Sequence, residues 1–198
     1  MKPISRFILS AVLLCGALTA AVPAQAAAAE ALPATSLYQL PVKLSNQDGK
    51  AFRLSELRGK PVLVSMFYNS CEFVCPMLID TMRMTQQALD QPSRDQLAML
   101  LVTFDPARDD VKALHTIAHQ RELDKQWTLA RSDAASVRKL AASLDIQYRK
   151  LQDGQFNHTT VLVLLDGEGR VVGSTRKMGA VDPEFLQLLR TTVGVTAK

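Results

Sequence analysis

Three stretches of this chain, residues 61–67, 97–104 and 159–165, are apolar almost without interruption. Strands buried on both faces read this way, because neither face meets water; a strand with one wet face alternates instead. The segments between the first two runs carry helix signals. Pro76 suits a first helical turn, where its missing N–H costs nothing. Met77, Leu78, Thr81, Met82 and Thr85 then recur along one side, up to about Leu89. Further on, Asp109 or Asp110 caps a helix running to about Arg121, and Ser132 and Asp133 start another to about Leu144. Parallel strands need crossovers of this length, so the chain is constrained to a parallel core covered by helices.

The remaining segments fill in the architecture. Residues 38–44 read as a strand, Asn46-Gln47-Asp48-Gly49 as a turn and residues 51–54 as the returning strand. Ser55 caps a single turn ending at Gly59. Residues 127–130 are short and extended, and 146–151 form a strand turned at Asp153-Gly154. Asp166-Gly167-Glu168-Gly169 turns the third apolar run into residues 170–175. Asp182-Pro183 opens a last amphipathic helix, with Phe185, Leu186, Leu188, Leu189 and Val193 on its apolar side. The expected fold is an α/β thioredoxin-like sandwich. It has a mixed sheet with a parallel core, an N-terminal β-hairpin, inserted helical segments and an antiparallel final hairpin. In such a sheet the functional spot lies where the first buried strand meets its helix, at the carboxyl edge.

The N-terminus reads as an export signal. Lys2 and Arg6 form a basic start, residues 7–22 are uncharged and mostly apolar, and Ala24-Gln25-Ala26 is a small-x-small cleavage site. The competing reading is an uncleaved anchor facing the periplasm, since no charge appears before Glu30; Pro23 and Gln25 interrupt the roughly 20 apolar residues a spanning helix wants. A lipoprotein start at Cys15 is disfavoured by the bulky Leu14 before it. The expected organisation is a cleaved signal peptide over 1–26, a flexible Ala- and Pro-rich lead-in over 27–37 and one domain over 38–198. Losing Lys2 and Arg6 lowers the formal charge from +4 to +2. A balanced surface of that kind argues against a nucleic-acid partner. Losing Cys15 leaves one cysteine pair, in a compartment outside the reducing cytosol.

That pair, in Cys71-Glu72-Phe73-Val74-Cys75-Pro76, falls at the expected functional spot. Residues four apart share a helix face. Their Cα atoms would lie about 6 Å apart by helical rise, within the ~4.4–6.8 Å a disulfide spans. The positive helix end favours thiolate over thiol, and two thiolates form half of a soft metal site. A purely structural disulfide is the plainer alternative, but so small a ring restrains the unfolded chain little.

His158 directly precedes the third apolar run, which in this kind of sheet lies near the first strand–helix loop. Imidazole with two thiolates makes a three-ligand site that favours copper over zinc, since structural zinc wants a fourth protein ligand. A turn residue bonding its own backbone is the alternative for His158. His115 and His119 also stand four apart, but no Glu follows His115, so they read as a solvated helix face.

Taken in order, these motifs resemble the Sco/SenC family, copper proteins needed for assembling cytochrome c oxidase. The resemblance rests on residues 62–67, on Cys71-x-x-x-Cys75-Pro76, on Asp105-Pro106-Ala107-Arg108-Asp109, and on His158-Thr159-Thr160 with the Asp166-Gly167-x-Gly169 turn. It implies a thioredoxin-like fold with copper bound by Cys71, Cys75 and His158. It also implies delivery of that copper to the dinuclear copper centre of an oxidase subunit, or reduction of that subunit's thiols. Asp105 resembles the family's acidic residue near the site and would orient or tune the ligands, or else cap the strand before Pro106. The chain departs from the common pattern at Glu72-Phe73, where the family often has Pro-Asp, and at Asn69-Ser70. The expectation is a periplasmic copper metallochaperone whose partner is the copper-accepting subunit of a respiratory oxidase. The alternative is a thiol–disulfide oxidoreductase acting through Cys71 and Cys75 on other exported proteins. A thiol peroxidase fits less well, because Val64 and Tyr68 stand where that chemistry wants Pro and Thr.

Overall fold

The structure is a computed structural model and describes residues 31–196. The signal-peptide reading of 1–26 therefore lies outside the described residues. In chain order the strands are β1 (Lys43–Asn46), β2 (Ala51–Arg53), β3 (Val62–Phe67), β4 (Ala98–Thr103), β5 (Trp127–Arg131), β6 (Tyr148–Lys150), β7 (Phe156–His158), β8 (Leu162–Leu165) and β9 (Val171–Thr175). The helices are α1 (Val74–Gln87), α2 (Gln91–Gln96), α3 (Val111–Gln120), α4 (Ala134–Ser143) and α5 (Pro183–Thr196).

The apolar runs become the middle of a seven-stranded sheet of order β2-β1-β5-β4-β3-β8-β9. Every residue of β3 and of β8 is buried. β3, β4 and β5 pair in parallel, and β8, β9, β1 and β2 complete the sheet antiparallel. Leu63, Leu101 and Leu162 have no exposed surface; each buried side chain of this size contributes about 1.5–3 kcal/mol relative to solvent. Asp110 and Asp133 cap α3 and α4 by accepting first-turn N–H groups. α1 is the exception. It begins after Phe73 with no capping side chain, and a sulfur atom takes that place.

Several segments differ from the sequence reading. The strand expected over 38–44 starts only at Lys43, after a 3-10 turn at Leu37–Gln39. Ser36 accepts the Tyr38 N–H and caps that turn, and Pro41 has no N–H for a ladder. Ser36 and Leu37, read as part of a flexible lead-in, are buried, and the Leu37 N–H donates to the Gly169 carbonyl at 2.9 Å. α2 was not anticipated, although Asp90 caps it and Pro92 sits in its first turn.

The run 159–165 is not one strand led by His158. His158 closes β7, which pairs antiparallel with β6 in a separate two-stranded ribbon, Tyr148 opposite His158. Only Leu162–Leu165 enters the main sheet, antiparallel to β3. Side-chain and loop bonds cover the break: the Ser65 hydroxyl donates to the Val161 carbonyl at 2.6 Å, and the Thr159 N–H to the Gln147 carbonyl at 2.8 Å. Because β8 runs against β3, the chain just before it is delivered to the carboxyl end of β3, where the cysteines follow.

Candidate metal centre

The site grows from the end of β3. Residues 68–73 form a loop between β3 and α1, and two bonds shape it. The Asn69 N–H donates to the Asp109 carboxylate at 3.0 Å, and the Cys71 N–H to the Tyr68 carbonyl at 3.4 Å. Cys75 is the second residue of α1, whereas Cys71 lies just outside the helix. The Cys75 N–H donates to the Cys71 sulfur at 3.3 Å. The Cys71 thiol thus acts as the cap that α1 lacks. Both cysteines are free thiols, Cys71 at 9% exposure and Cys75 at 3%.

His158 reaches the thiols from the ribbon. Its Nδ1 lies 3.2 Å from the Thr159 carbonyl. A carbonyl only accepts, so this contact keeps the proton on Nδ1 and leaves the Nε2 lone pair free to ligate. The ring packs 4.9 Å from the Phe104 ring and 5.9 Å, edge-on, from Tyr68. One ligand atom from each of Cys71, Cys75 and His158 falls within 4.8 Å of the others, the one such group of three or more among the described residues. The three residues singled out from the sequence therefore converge. His115 and His119 lie exposed on α3 and join no such group.

Asp105 is not in the cluster. Its buried carboxylate ion-pairs with Arg108 instead. The acidic side chain beside the cysteine loop is Asp109, the last residue of the Asp105–Asp109 motif; the helix cap offered to Asp109 or Asp110 falls to Asp110. Buried at 2% exposure, it accepts the Thr103 hydroxyl at 2.5 Å as well as the Asn69 N–H. Tyr68 was likewise unassigned. Its hydroxyl donates to Gln155 Oε1 at 2.9 Å, and its ring meets Phe104, Phe156 and His158.

The two thiols are made unequal. Burial pushes Cys71 up, but the Cys75 N–H and thiol and the Phe73 backbone outweigh it and pull Cys71 below the ordinary thiol value. Burial pushes Cys75 far up, and the neighbouring Cys71 and Asp109 charges add to this while a backbone contact with Tyr68 opposes it. Burial lowers His158, with the Thr159 carbonyl partly opposing, so the neutral, ligating imidazole is favoured. A cavity of about 240 Å³ between α1 and α3 opens onto Cys71 and Cys75, with Glu72, Ile79, Ile117 and Arg121 among its walls. His158 is not among its lining residues.

As a metal site, two thiolates and one imidazole are soft-to-borderline donors. With three protein ligands and no fourth gathered among the described residues, the set fits monovalent copper better than structural zinc. Comparison with known proteins agrees in kind. The family model described as SCO1/SenC matches residues 31–191.

The chain belongs to the SCO1/SenC family.

Among curated SCO1/SenC relatives, it is 24% identical over 145 residues to Protein SCO1 homolog 2, mitochondrial, of Arabidopsis thaliana, a match covering 73% of this chain and 48% of that one. It is 31% identical over 78 residues to the SCO1 protein homolog of Bacillus subtilis, covering 39% of this chain and 40% of the other. The chain thus spans less than half the length of the curated relatives it matches. Among solved structures, copper-bound ScoI of Bradyrhizobium japonicum superposes with a TM-score of 0.65 at 24% identity, covering 76% of this chain and 96% of that one. At that identity the likeness speaks for the thioredoxin-like fold.

Proposed function

We propose that this protein is a periplasmic copper metallochaperone that binds one copper ion through Cys71, Cys75 and His158. Its partner would be the subunit of a respiratory oxidase that holds the dinuclear copper centre. The observation that carries the reading is the convergence of the three ligand atoms within 4.8 Å, from a loop, a helix and a separate ribbon. Family membership and the copper-bound relative support it. Copper is the cargo here. The chain contributes two thiolates on metal binding, an imidazole whose neutral form is favoured, and a cleft lined in part by Cys71 and Cys75 through which a client's ligands could approach. The export-signal reading of 1–26 supports the compartment, and no helix among the described residues is long and apolar enough to cross a membrane. An uncleaved N-terminus facing the periplasm is the other form of the same proposal.

The test is titration of the reduced protein with Cu(I), with His158→Ala and Cys71→Ser/Cys75→Ser alongside. About one equivalent bound, sharply weakened by either change, is expected. Binding that survives loss of both cysteines would sink the proposal.

The inequality of the two thiols favours a second activity at the same site. The Cys71 thiolate attacks a client disulfide and forms a mixed disulfide, releasing one client thiol. Cys75, after losing its proton, displaces the second, leaving a Cys71–Cys75 disulfide and a client reduced by two electrons. A Cys71–Cys75 disulfide that a dithiol reductant cannot open would exclude this activity.

A further inference from the structure

The ribbon that carries His158 has little of its own to hold it in place. β6 and β7 pair only with each other, and Leu151, Gln152 and Asp153 at the turn are exposed. An isolated two-stranded ribbon is marginal in water. The position of His158 therefore depends on what the ribbon leans against.

Two supports reach it from the main body. One is centred on aromatic rings: Tyr68 and Phe104 pack against Phe156 and His158, Phe104 stacks on Tyr148 at 5.2 Å, and the Tyr68 hydroxyl donates to Gln155 Oε1 at 2.9 Å and accepts the Phe156 N–H at 3.5 Å. The other is Arg108, in the loop after β4. Its Nε is ion-paired with Asp105, its Nη2 donates to the Gly154 carbonyl at 2.5 Å, and its guanidinium carbon lies 5.9 Å from the Phe156 ring centroid. The Asp105 side chain is only 4% exposed, and its N–H is taken by the Thr103 hydroxyl at 3.0 Å. It is a fixed anchor at the end of a central strand. Arg108 spans from that anchor to the tip of the ribbon.

We propose that Asp105 and Arg108 form a strut that seats the β6–β7 ribbon and so places His158 over Cys71 and Cys75. The importance of that placement for metal rests on the copper reading above. Arg108 touches none of the ligand atoms and is a positioning residue. The chemistry of its side chain suits the task. A planar guanidinium presents donors on two edges at once, one for a carboxylate and one for a carbonyl, where an ammonium is a point charge. The strut also gives the buried Asp105 a role in the site without direct contact with the metal. Without it the two cysteine sulfurs stay in place, while the third ligand must be drawn back from a loosened ribbon each time metal binds. Outer partners that orient a ligand in this way change metal affinity by about 10- to 100-fold.

The test uses the full-length protein, reduced and metal-free, with Arg108→Ala and Arg108→Lys. Amide hydrogen exchange across 148–159 is expected to quicken by about tenfold or more in Arg108→Ala, with β3 and β4 unchanged. Exchange in those strands reports whether the fold is intact. Cu(I) affinity, by competition with a chelator, is expected to fall about 10- to 100-fold. The Arg108→Ala/His158→Ala double variant should bind no more weakly than His158→Ala alone, because both changes remove the same ligand. Arg108→Lys should fall between wild type and Arg108→Ala. Unchanged exchange in the ribbon, or a loss that adds fully to that of His158→Ala, overturns the strut. A wild-type protein that binds no copper refutes the copper reading instead, and the exchange rates then decide the strut by themselves.

Discussion

Replacing Asp109 by Ala removes one carboxylate and strands two donors. The carboxylate accepts the Thr103 hydroxyl at 2.5 Å and the Asn69 N–H at 3.0 Å, at a residue 2% exposed. Thr103 has no exposed surface, so its hydroxyl left without a partner costs about 1–3 kcal/mol, whereas the N–H of exposed Asn69 can turn to water. Burial already holds Asp109 above the usual carboxylate range, against the pull of its own hydrogen bonds, so relief of the buried charge offsets part of that loss. The net expectation is a destabilisation of about 1–2 kcal/mol, read as a lower urea midpoint at unchanged m. Both donors share one carboxylate oxygen, so Asp109→Asn keeps an oxygen that can accept from both and should lose clearly less than Asp109→Ala. Neither variant carries the titrating carboxyl, so wild type differs from both in its pH dependence. A raised acid stabilises most below its unfolded value near 3.9 and loses that contribution as pH rises through the raised folded value. The stability of Asp109→Asn relative to wild type should therefore improve as pH rises through that window. A loss of under about 0.5 kcal/mol for Asp109→Ala, the range of an ordinary surface substitution, would refute the reasoning.

Three further outcomes follow from the same geometry. With Cys71 pulled below and Cys75 pushed above the ordinary thiol value, iodoacetamide near neutral pH should label Cys71 at least about tenfold faster; equal rates by mass spectrometry would contradict the inequality. His158 is lowered by burial, so in the metal-free protein its contribution to stability is complete above the unfolded value of roughly 6.5 and is lost as pH falls through the lowered folded value. His158→Gln should flatten that acid limb in chemical denaturation, and an unchanged slope would count against it. Gly169 has φ +78°, and a Cβ there would lie 2.6 Å from Cγ of the buried Tyr38 ring. Gly169→Ala should cost more than about 2 kcal/mol, since left-handed strain alone is ~1–2 kcal/mol; a wild-type thermal midpoint would disprove this.

Where the chain repeats one physical pattern, the fold was legible. β3, β4 and β8 follow from unbroken apolar runs, because burial on both faces leaves no room for polar residues. α3, α4 and α5 follow from an Asp before a helical period. The elements that escaped are those decided by single local bonds. The 3-10 turn at Leu37–Gln39 depends on the Ser36 side chain, and the break before β8 on Ser65 and Thr159. Of the β6–β7 ribbon, the strand within 146–151 and its turn at Asp153-Gly154 were legible, and the three-residue partner β7 was not.

For the site, sequence alone named the candidate donors. The four-residue cysteine spacing at the end of a buried strand singles out Cys71 and Cys75, and the resemblance to the Sco/SenC family adds His158 ahead of the third apolar run. Only the tertiary structure decided how they meet. Cys71 lies outside α1 and Cys75 within it, so one thiol is activated and the other suppressed, an inequality that four-residue spacing does not encode. His158 reaches both from a ribbon outside the main sheet. Asp105, which seemed from its motif to belong beside the ligands, turns to Arg108, and Asp109 takes the cysteine loop. The reason is one of distance: spacing along the chain governs contacts within a helical turn, whereas bonds spanning 40 to 46 residues, from Asn69 to Asp109 and from Arg108 to Gly154, exist only once the sheet has brought their partners to one edge.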